Sequence, residues 1–231
     1  MKLIIATLLL LLFTVSASAD LIVVQDEEQI FSGGTHKTRQ TMKIKGTKVR
    51  IEMDIPENPM IVINDHASGW GATLLPKFKK VIEGSAAMQK EGMEKAVDML
   101  REMGRIPKDR PQIRPTGRKD VINGWKVEEY VAETSYLKAS YWIARELAPL
   151  KKYHAALKNK KNSEINKQFP DLAQAPGFPI LTIIDQEFGK RRVKTTTRVI
   201  SIQETDIPDS EFMVPVDYTK NGTREAGRKH P

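Results

Sequence analysis

Residues 48–54, K-V-R-I-E-M-D, alternate charged and apolar side chains without interruption. Successive side chains of a β-strand point to opposite faces, so this period of two predicts a strand with one buried face. Val49, Ile51 and Met53 are expected on the buried face, and the charged residues between them are expected to be exposed to solvent. Because antiparallel sheets commonly have one face solvated, this stretch indicates an antiparallel β fold.

The flanking sequence extends the same pattern in both directions. Residues 35–44 alternate again, and Gly46-Thr47 is typical of a hairpin turn before residue 48. A second hairpin is expected from two later apolar runs, residues 60–63 and 70–75. Further strands are expected nearer the C-terminus, over residues 124–132, 137–143, 180–184 and 193–202.

Two segments have helical periodicity instead. The first runs from Ser85 to Met103, and the second covers residues 147–158. Together with the strands, they predict an α+β domain with helices on an antiparallel sheet. The apolar face of the first helix supplies the candidate ligand-binding residues, which are Met93, Val97, Leu100 and Met103. Methionine is flexible and polarizable and adapts to varied apolar partners, although an ordinary packing helix would have the same pattern.

The N-terminal 19 residues have the features of a secretory signal peptide. Lys2 precedes an uncharged apolar run, and Ala17-Ser18-Ala19 matches an A-x-A cleavage site. The run is shorter than the roughly 20 residues of a membrane-spanning helix, and no second long apolar run follows it. We therefore expect cleavage after Ala19, no transmembrane segment in the mature chain, and a periplasmic or secreted protein. The expected organisation is a signal peptide at 1–19, one domain at 20–218 and a basic flexible tail at 219–231.

Several short patterns together resemble the LolA/LolB-like superfamily of secreted domains, and in particular an uncharacterised periplasmic branch of unknown function. The patterns are G-T-K-V-R-I-E-M, M-I-V-I-N-D before W-G-A-T-L-L-P, S-Y-W-I-A-R-E-L, P-G-F-P-I, and E-F-M-V-P-V-D-Y near the C-terminus. The resemblance implies a curved antiparallel half-barrel with helices covering its concave face. It also implies an apolar cavity of the kind that holds lipoprotein acyl chains, but no functional residue is transferred by these motifs.

The sequence has no motif of a known catalytic or cofactor site. The 231 residues contain no cysteine, which excludes disulfides and thiol chemistry, and the 4 histidines lack metal-ligand spacing. Asp65-His66 is the most suggestive pair, but a catalytic role would need a third partner, and a hairpin turn is the simpler interpretation. We therefore expect no enzyme activity, no metal and no cofactor.

The basic balance, formally +8 at pH 7, favours anionic partners such as an envelope surface. Nucleic acid is disfavoured because an exported chain without a recognition motif has no route to it. The expected function is binding of an apolar ligand, a lipid or a lipoprotein acyl chain, at the cell envelope. The alternatives are an envelope protein-interaction module whose core is filled by its own side chains and, third, a hydrolase.

Overall fold

The computed structural model describes residues 20–84, 111–150, 170–172, 175–188 and 191–220. Within them, twelve strands form a single sheet. The strands are β1 (Asp20–Phe31), β2 (Gly34–Lys45), β3 (Lys48–Asp54), β4 (Met60–Asp65), β5 (Trp70–Leu75), β6 (Lys80–Gly84), β7 (Arg114–Ile122), β8 (Trp125–Glu133), β9 (Leu137–Ala144), β10 (Phe178–Phe188), β11 (Arg191–Thr205) and β12 (Thr219–Lys220).

The strands lie in the order β12-β6-β5-β4-β3-β2-β1-β11-β10-β9-β8-β7. All neighbours pair antiparallel except β12 and β6, which pair in parallel. The sheet is open, since β7 and β12 each have one neighbour. The predicted antiparallel sheet is therefore confirmed.

Helices covering a concave face are not supported. The described chain has short 3₁₀ turns at Pro76–Phe78, Arg145–Leu150 and Asp209–Phe212. The second predicted helix is described only as far as Leu150, and Leu147 interrupts that segment with a non-helical backbone. The first, from Ser85 to Met103, lies outside the described residues.

The first strand was not expected from the sequence. From Gln25 to Gln29 both faces of β1 carry polar side chains, so the apolar alternation that reveals a strand is lost. Pairing with β2 on one side and β11 on the other holds this segment extended. A central position in the sheet therefore overrides a sequence with little intrinsic strand signal.

The sheet coils, and its two halves contact each other. Asn123, in the β7–β8 turn, donates a hydrogen bond from Nδ2 to the Val199 carbonyl of β11 at 2.7 Å, although β9 and β10 separate β8 from β11. The same core cluster contains Ile44 of β2 and Val127 of β8.

A C-terminal strap, residues 206–218, lies across one face of the β2–β6 region. Its Ile207 and Phe212 are buried with Ile63, Leu74 and other apolar residues of β4–β6. Beyond the strap, Thr219–Lys220 pairs with β6 as β12.

Candidate ligand-binding face

Cross-strand register places a row of apolar side chains on the face opposite the strap. Directly paired residues of antiparallel strands lie on the same face of a sheet. Val23 pairs with Met42, Met42 with Ile51, and Ile51 with Val62, so the row crosses β1 to β4. We call this surface the apolar face and include the flanking residues of the same alternation, Leu21, Ile44, Val49, Met53 and Met60.

Burial of the apolar face decreases along the strands, away from the paired residues Leu21, Ile44 and Val49, which are 0%, 1% and 2% exposed and belong to the core cluster shared with β8–β10. Val23 and Ile44 are each 1% exposed, whereas Ile51, Met53 and Val62 are half-buried. Met42 and Met60 are also half-buried, so three methionines lie on this one surface. Such flexible side chains let a surface repack around apolar groups of different shape.

The opposite face of the same strands is closed by the strap through ion pairs. Lys43 Nζ lies 2.9 Å from Glu211 Oε2 and 3.0 Å from Glu52 Oε1. Arg50 Nε lies 2.6 Å from Glu52, and its Nη1 donates to the Glu211 carbonyl at 2.8 Å. Glu211 belongs to the strap, so this network fastens the strap to β2 and β3.

The network shifts the pKa values of two of its members. Burial alone would raise the pKa of Glu52, but hydrogen bonds from Arg50 and Lys43 outweigh it and lower the pKa below its usual value of 4.5. Burial acts to lower the pKa of Lys43, and hydrogen bonds to Glu211 and Glu52 reverse this effect and raise it. The charged forms are therefore the stable forms under the strap.

A second set of contacts between the strap and the sheet lies at the start of β1. Asp20, 7% exposed, accepts a hydrogen bond from the Ile207 backbone N–H at Oδ2, at 3.0 Å. Lys45 Nζ donates to the Ile207 carbonyl at 2.6 Å and lies 3.5 Å from Asp20. Both backbone groups of Ile207 are thus bound by charged side chains of the sheet.

The expectation that the charged residues of β3 are solvent-exposed is wrong for Arg50, whose side chain is 13% exposed. Glu52 is half-buried, with a side chain 34% exposed. The alternation was assigned correctly, since Val49 is 2% exposed. The strap covers the charged face, and local alternation contains no signal for a segment more than 150 residues away in the sequence.

A separate open pocket of about 790 Å³ lies near the ends of β7, β8 and β9. Arg145 Nη2 donates to Glu128 Oε2 at 2.6 Å and to the Tyr130 hydroxyl at 2.9 Å. The lining also includes Lys119, Asp120, Lys126 and Glu146. The basic and acidic side chains of this pocket therefore lie near one another. Its lining residues include no histidine, so the pocket has no nucleophile paired with a histidine base.

Asp65 has a structural role in its turn. Its carboxylate accepts hydrogen bonds from the Thr47 and Ser68 hydroxyls and from the Ala67 N–H. The Thr47 bond is the largest cause of a lowered Asp65 pKa. The turn interpretation of Asp65-His66 therefore accounts for these contacts. Over the described ranges, no group of three or more His, Cys, Asp or Glu residues could hold a metal ion.

The candidate residues named from the sequence, Met93, Val97, Leu100 and Met103, lie outside the described residues. The apolar face was not proposed as a site, although the shared faces of β2 and β3 were visible in the sequence as alternation. Their continuity across β1 to β4 depends on register, which no single strand encodes. In the described part of the chain, no helix is long and apolar enough to cross a membrane.

These features define an open antiparallel sheet domain with an apolar face on one side and a strap on the other. The chain belongs to the family described as Domain of unknown function (DUF4412), which matches residues 28–218. No curated protein matches the sequence.

Solved structures similar to this chain include an uncharacterized conserved protein from Thermus thermophilus, with 10% identity, a TM-score of 0.50, and 88% of this chain and 90% of that chain covered. A putative outer membrane lipoprotein-sorting protein domain from Vibrio parahaemolyticus has 10% identity and a TM-score of 0.33, covering 84% of this chain and 89% of that one. A DUF1329 family protein from Desulfovibrio piger has the same identity and TM-score, with 84% and 90% covered.

The first likeness indicates a shared fold. The expectation of a domain of unknown function is confirmed by the family match over residues 28–218.

Proposed function

We propose that this protein is a non-enzymatic binder of an apolar ligand, a lipid or a lipoprotein acyl chain, at the cell envelope. The observation that carries the proposal is the group of adjacent apolar side chains Met53, Met60 and Val62, which are half-buried on the apolar face beside the core cluster. The strap closes the other face of these strands with ion pairs and its own apolar side chains. On the apolar face, Leu21, Val23, Ile44 and Val49 are buried in the core cluster with β8–β10, so the surface left for a ligand is the part of that face on β3 and β4.

The physical basis is desolvation of apolar surface. An acyl chain bound against half-buried Met53, Met60 and Val62 would remove its own and the protein's apolar area from water, at about 25 cal/mol per Å². Methylene groups need no directed partner, which suits a surface with few polar groups. The predicted signal peptide and the basic charge support an envelope location beside anionic lipid.

Displacement of a fluorescent fatty acid from the mature protein tests the proposal. The variant Met53→Gln/Met60→Gln changes two directly paired side chains with little change in length. We expect its affinity to fall by about tenfold, which corresponds to about 1.4 kcal/mol. The matched control is Met213→Gln, at a methionine 62% exposed on the strap, which should bind like the wild type.

Circular dichroism and urea unfolding establish that each variant is folded. Saturable binding that the double variant weakens and the control retains supports the proposal. Absence of binding by the folded wild type, or equal losses in both variants, contradicts it.

A second candidate function, an envelope protein-interaction module, is favoured by strand β7. It is an edge strand in which eight of nine residues are exposed. An exposed edge can add a strand from a partner. Pro115 and the φ of 81° at Gly117 limit continuous pairing, which restricts such a partner to a short segment.

Photo-crosslinking in cells tests this alternative. A crosslinker replacing Lys119 on the edge should capture a discrete partner if β7 is a docking strand. The control position is Lys126, which lies on β8 between β7 and β9. Equal products from both positions would argue against docking on β7.

A further inference from the structure

The apolar face becomes polar along three adjacent strands, β2, β1 and β11. Along β1, Val23 is followed on the same face by Gln25, and along β2, Met42 is preceded by Gln40. On β11, Val199 is the partner of Gln25, and the next residue on that face is Thr197, paired with Glu27. The boundary therefore lies at one level on β1 and β2, at Gln25 and Gln40, and one same-face residue further along on β11, at Thr197.

We call the polar side of this boundary the amide band. Its residues share one face by register and are all half-buried; they are Gln25, Glu27, Gln29, Thr38, Gln40, Thr195 and Thr197. Gln25 Nε2 donates to Gln40 Oε1 at 2.9 Å, and Gln40 Nε2 donates to Glu27 Oε2 at 3.3 Å. Gln29 Nε2 donates to Glu27 Oε1 at 2.9 Å.

These bonds fix the side chains and leave hydrogen-bonding capacity. Each side-chain amide has two N–H donors and a carbonyl acceptor, and each bond above uses one N–H. The threonine hydroxyls can both donate and accept. A group that presents several hydroxyls matches such an array, because each hydroxyl also donates and accepts.

The charges around the band disfavour a phosphate. Lys37 and Arg39 of β2 pair with Glu28 and Asp26, which alternate to the opposite face of β1. Arg198 of β11 also pairs with Asp26 on that opposite face. Glu27, within the band, is acidic and would repel an anion. A neutral head group is therefore favoured over a phosphorylated one.

An aromatic pair lies at the far end of the same face. Phe31 and His36 stack with ring centroids 5.4 Å apart, and His36 is the direct partner of Gln29. The C–H groups on one side of a sugar ring can pack against aromatic rings such as these. Glycerol has no ring and cannot make this contact. This feature favours a sugar among hydroxylated head groups.

We propose that the ligand is an amphiphile with an uncharged sugar head group, its acyl chain on the apolar face and its sugar on the amide band. The proposal rests on the proposed function, since it assigns the second half of the same site. Gln40 of the amide band pairs directly with Met53, and Met53 pairs with Met60, so the half-buried part of the apolar face lies beside the band. The head group would bind along β1 and β2 and the acyl chain across β3 and β4.

Four probes with the same 14-carbon chain test the assignment in displacement assays below their micelle-forming concentrations. They are tetradecyl maltoside, monomyristoylglycerol, myristate and tetradecyl phosphate. We expect the wild type to bind the maltoside at least tenfold more tightly than the phosphate, and more tightly than the glycerol ester. In the variant Gln25→Met/Gln40→Met, the ratio of maltoside to phosphate affinity should fall to within about twofold while myristate affinity is unchanged.

The matched control is Gln203→Met, at an exposed residue whose partner Ile22 lies on the opposite face; it should keep the wild-type ratio. Equal affinity for maltoside and phosphate, or an unchanged ratio in the double variant, overturns the head-group assignment alone. If the glycerol ester binds as tightly as the maltoside, the assignment of the head group as a sugar is wrong. Absence of binding by all four probes to folded protein overturns the proposed function as well.

Discussion

The two faces of strands β1–β5 are built from the same alternating sequences but are completed in different ways. The strap face is closed by Phe212 and Ile207, and its charged residues are paired with Glu211 of the strap. The apolar face has half-buried methionines and no contribution from the strap. Both faces contribute to the core, because Leu21, Val23, Ile44 and Val49 of the apolar face are buried with residues of β8–β10. The difference is that the apolar face continues into half-buried Met53, Met60 and Val62, which are suited to a ligand.

The largest expected effect comes from emptying the strap's apolar anchor. Phe212 is 5% exposed among Ile63, Leu74 and Val81, so Phe212→Ala should cost about 3–5 kcal/mol in the free energy of unfolding. Urea unfolding measures the loss. The control Met213→Ala, at a residue 62% exposed, should change stability by less than about 0.5 kcal/mol. Similar losses in the two variants would show that Phe212 is not an anchor.

A smaller loss in the free energy of unfolding is expected from Arg50→Ala. This variant tests whether the ion pairs between β3 and the strap stabilise the fold. The substitution leaves Glu52 and Glu211 close together without Arg50, and we expect a cost of about 2–3 kcal/mol. Ile51→Ala, on the half-buried apolar face, should cost about 2 kcal/mol or less. Denaturant melts in which Arg50→Ala is nearly neutral would contradict the strap assignment.

Acid should loosen the strap face selectively. The pKa of Glu52 is lowered in the folded state, so its stabilisation is present above the usual value of 4.5 and is lost as the pH falls through the lowered pKa. Protection factors for the amides of residues 206–218, which correct for the slower intrinsic exchange in acid, should therefore fall between pH 7 and about pH 3. The effect should be smaller than that of Arg50→Ala, because protonation leaves every side chain in place.

Glu52→Gln is the control for that titration, since other carboxylates also protonate in this range. At pH 7 the variant should have lower protection factors in residues 206–218 than the wild type, and these protection factors should fall less in acid. An acid response identical to the wild type would exclude Glu52 as a source of the effect.

The parts of the fold that were predictable depend on local alternation. The pattern in β3 placed Val49 correctly and identified the hairpins on both sides of it, because each residue's face follows from its neighbours. Arg50 was misassigned because its cover comes from Glu211, distant in sequence. The motif E-F-M-V-P-V-D-Y is visible in the sequence, but its role as a strap depends on contacts with β2–β6 that the motif does not encode.

The candidate site was predictable only strand by strand. The apolar faces of β2 and β3 could be read from period two, whereas their alignment with Val23 and Val62 depends on register. The amide band was not predicted, because Gln25 to Gln29 carries polar residues on both faces and shows no alternation of hydrophobicity. Polar sites within strands therefore need the pairing partners to be known.

The smallest expected effect is the difference in unfolding free energy between the same substitution, Val→Thr, made on each of the two faces. Val81, on the strap face, is 1% exposed, whereas Val62, on the apolar face, is half-buried. Val→Thr keeps the shape of the side chain and introduces a hydroxyl, which is costly where it is buried without a partner. Val81→Thr should cost about 1–3 kcal/mol, and Val62→Thr less than about 1 kcal/mol. Thermal and urea unfolding of the two single variants measure the difference. Equal costs would mean that the apolar face is closed as tightly as the strap face, which would favour the interaction-module alternative over a ligand-binding face.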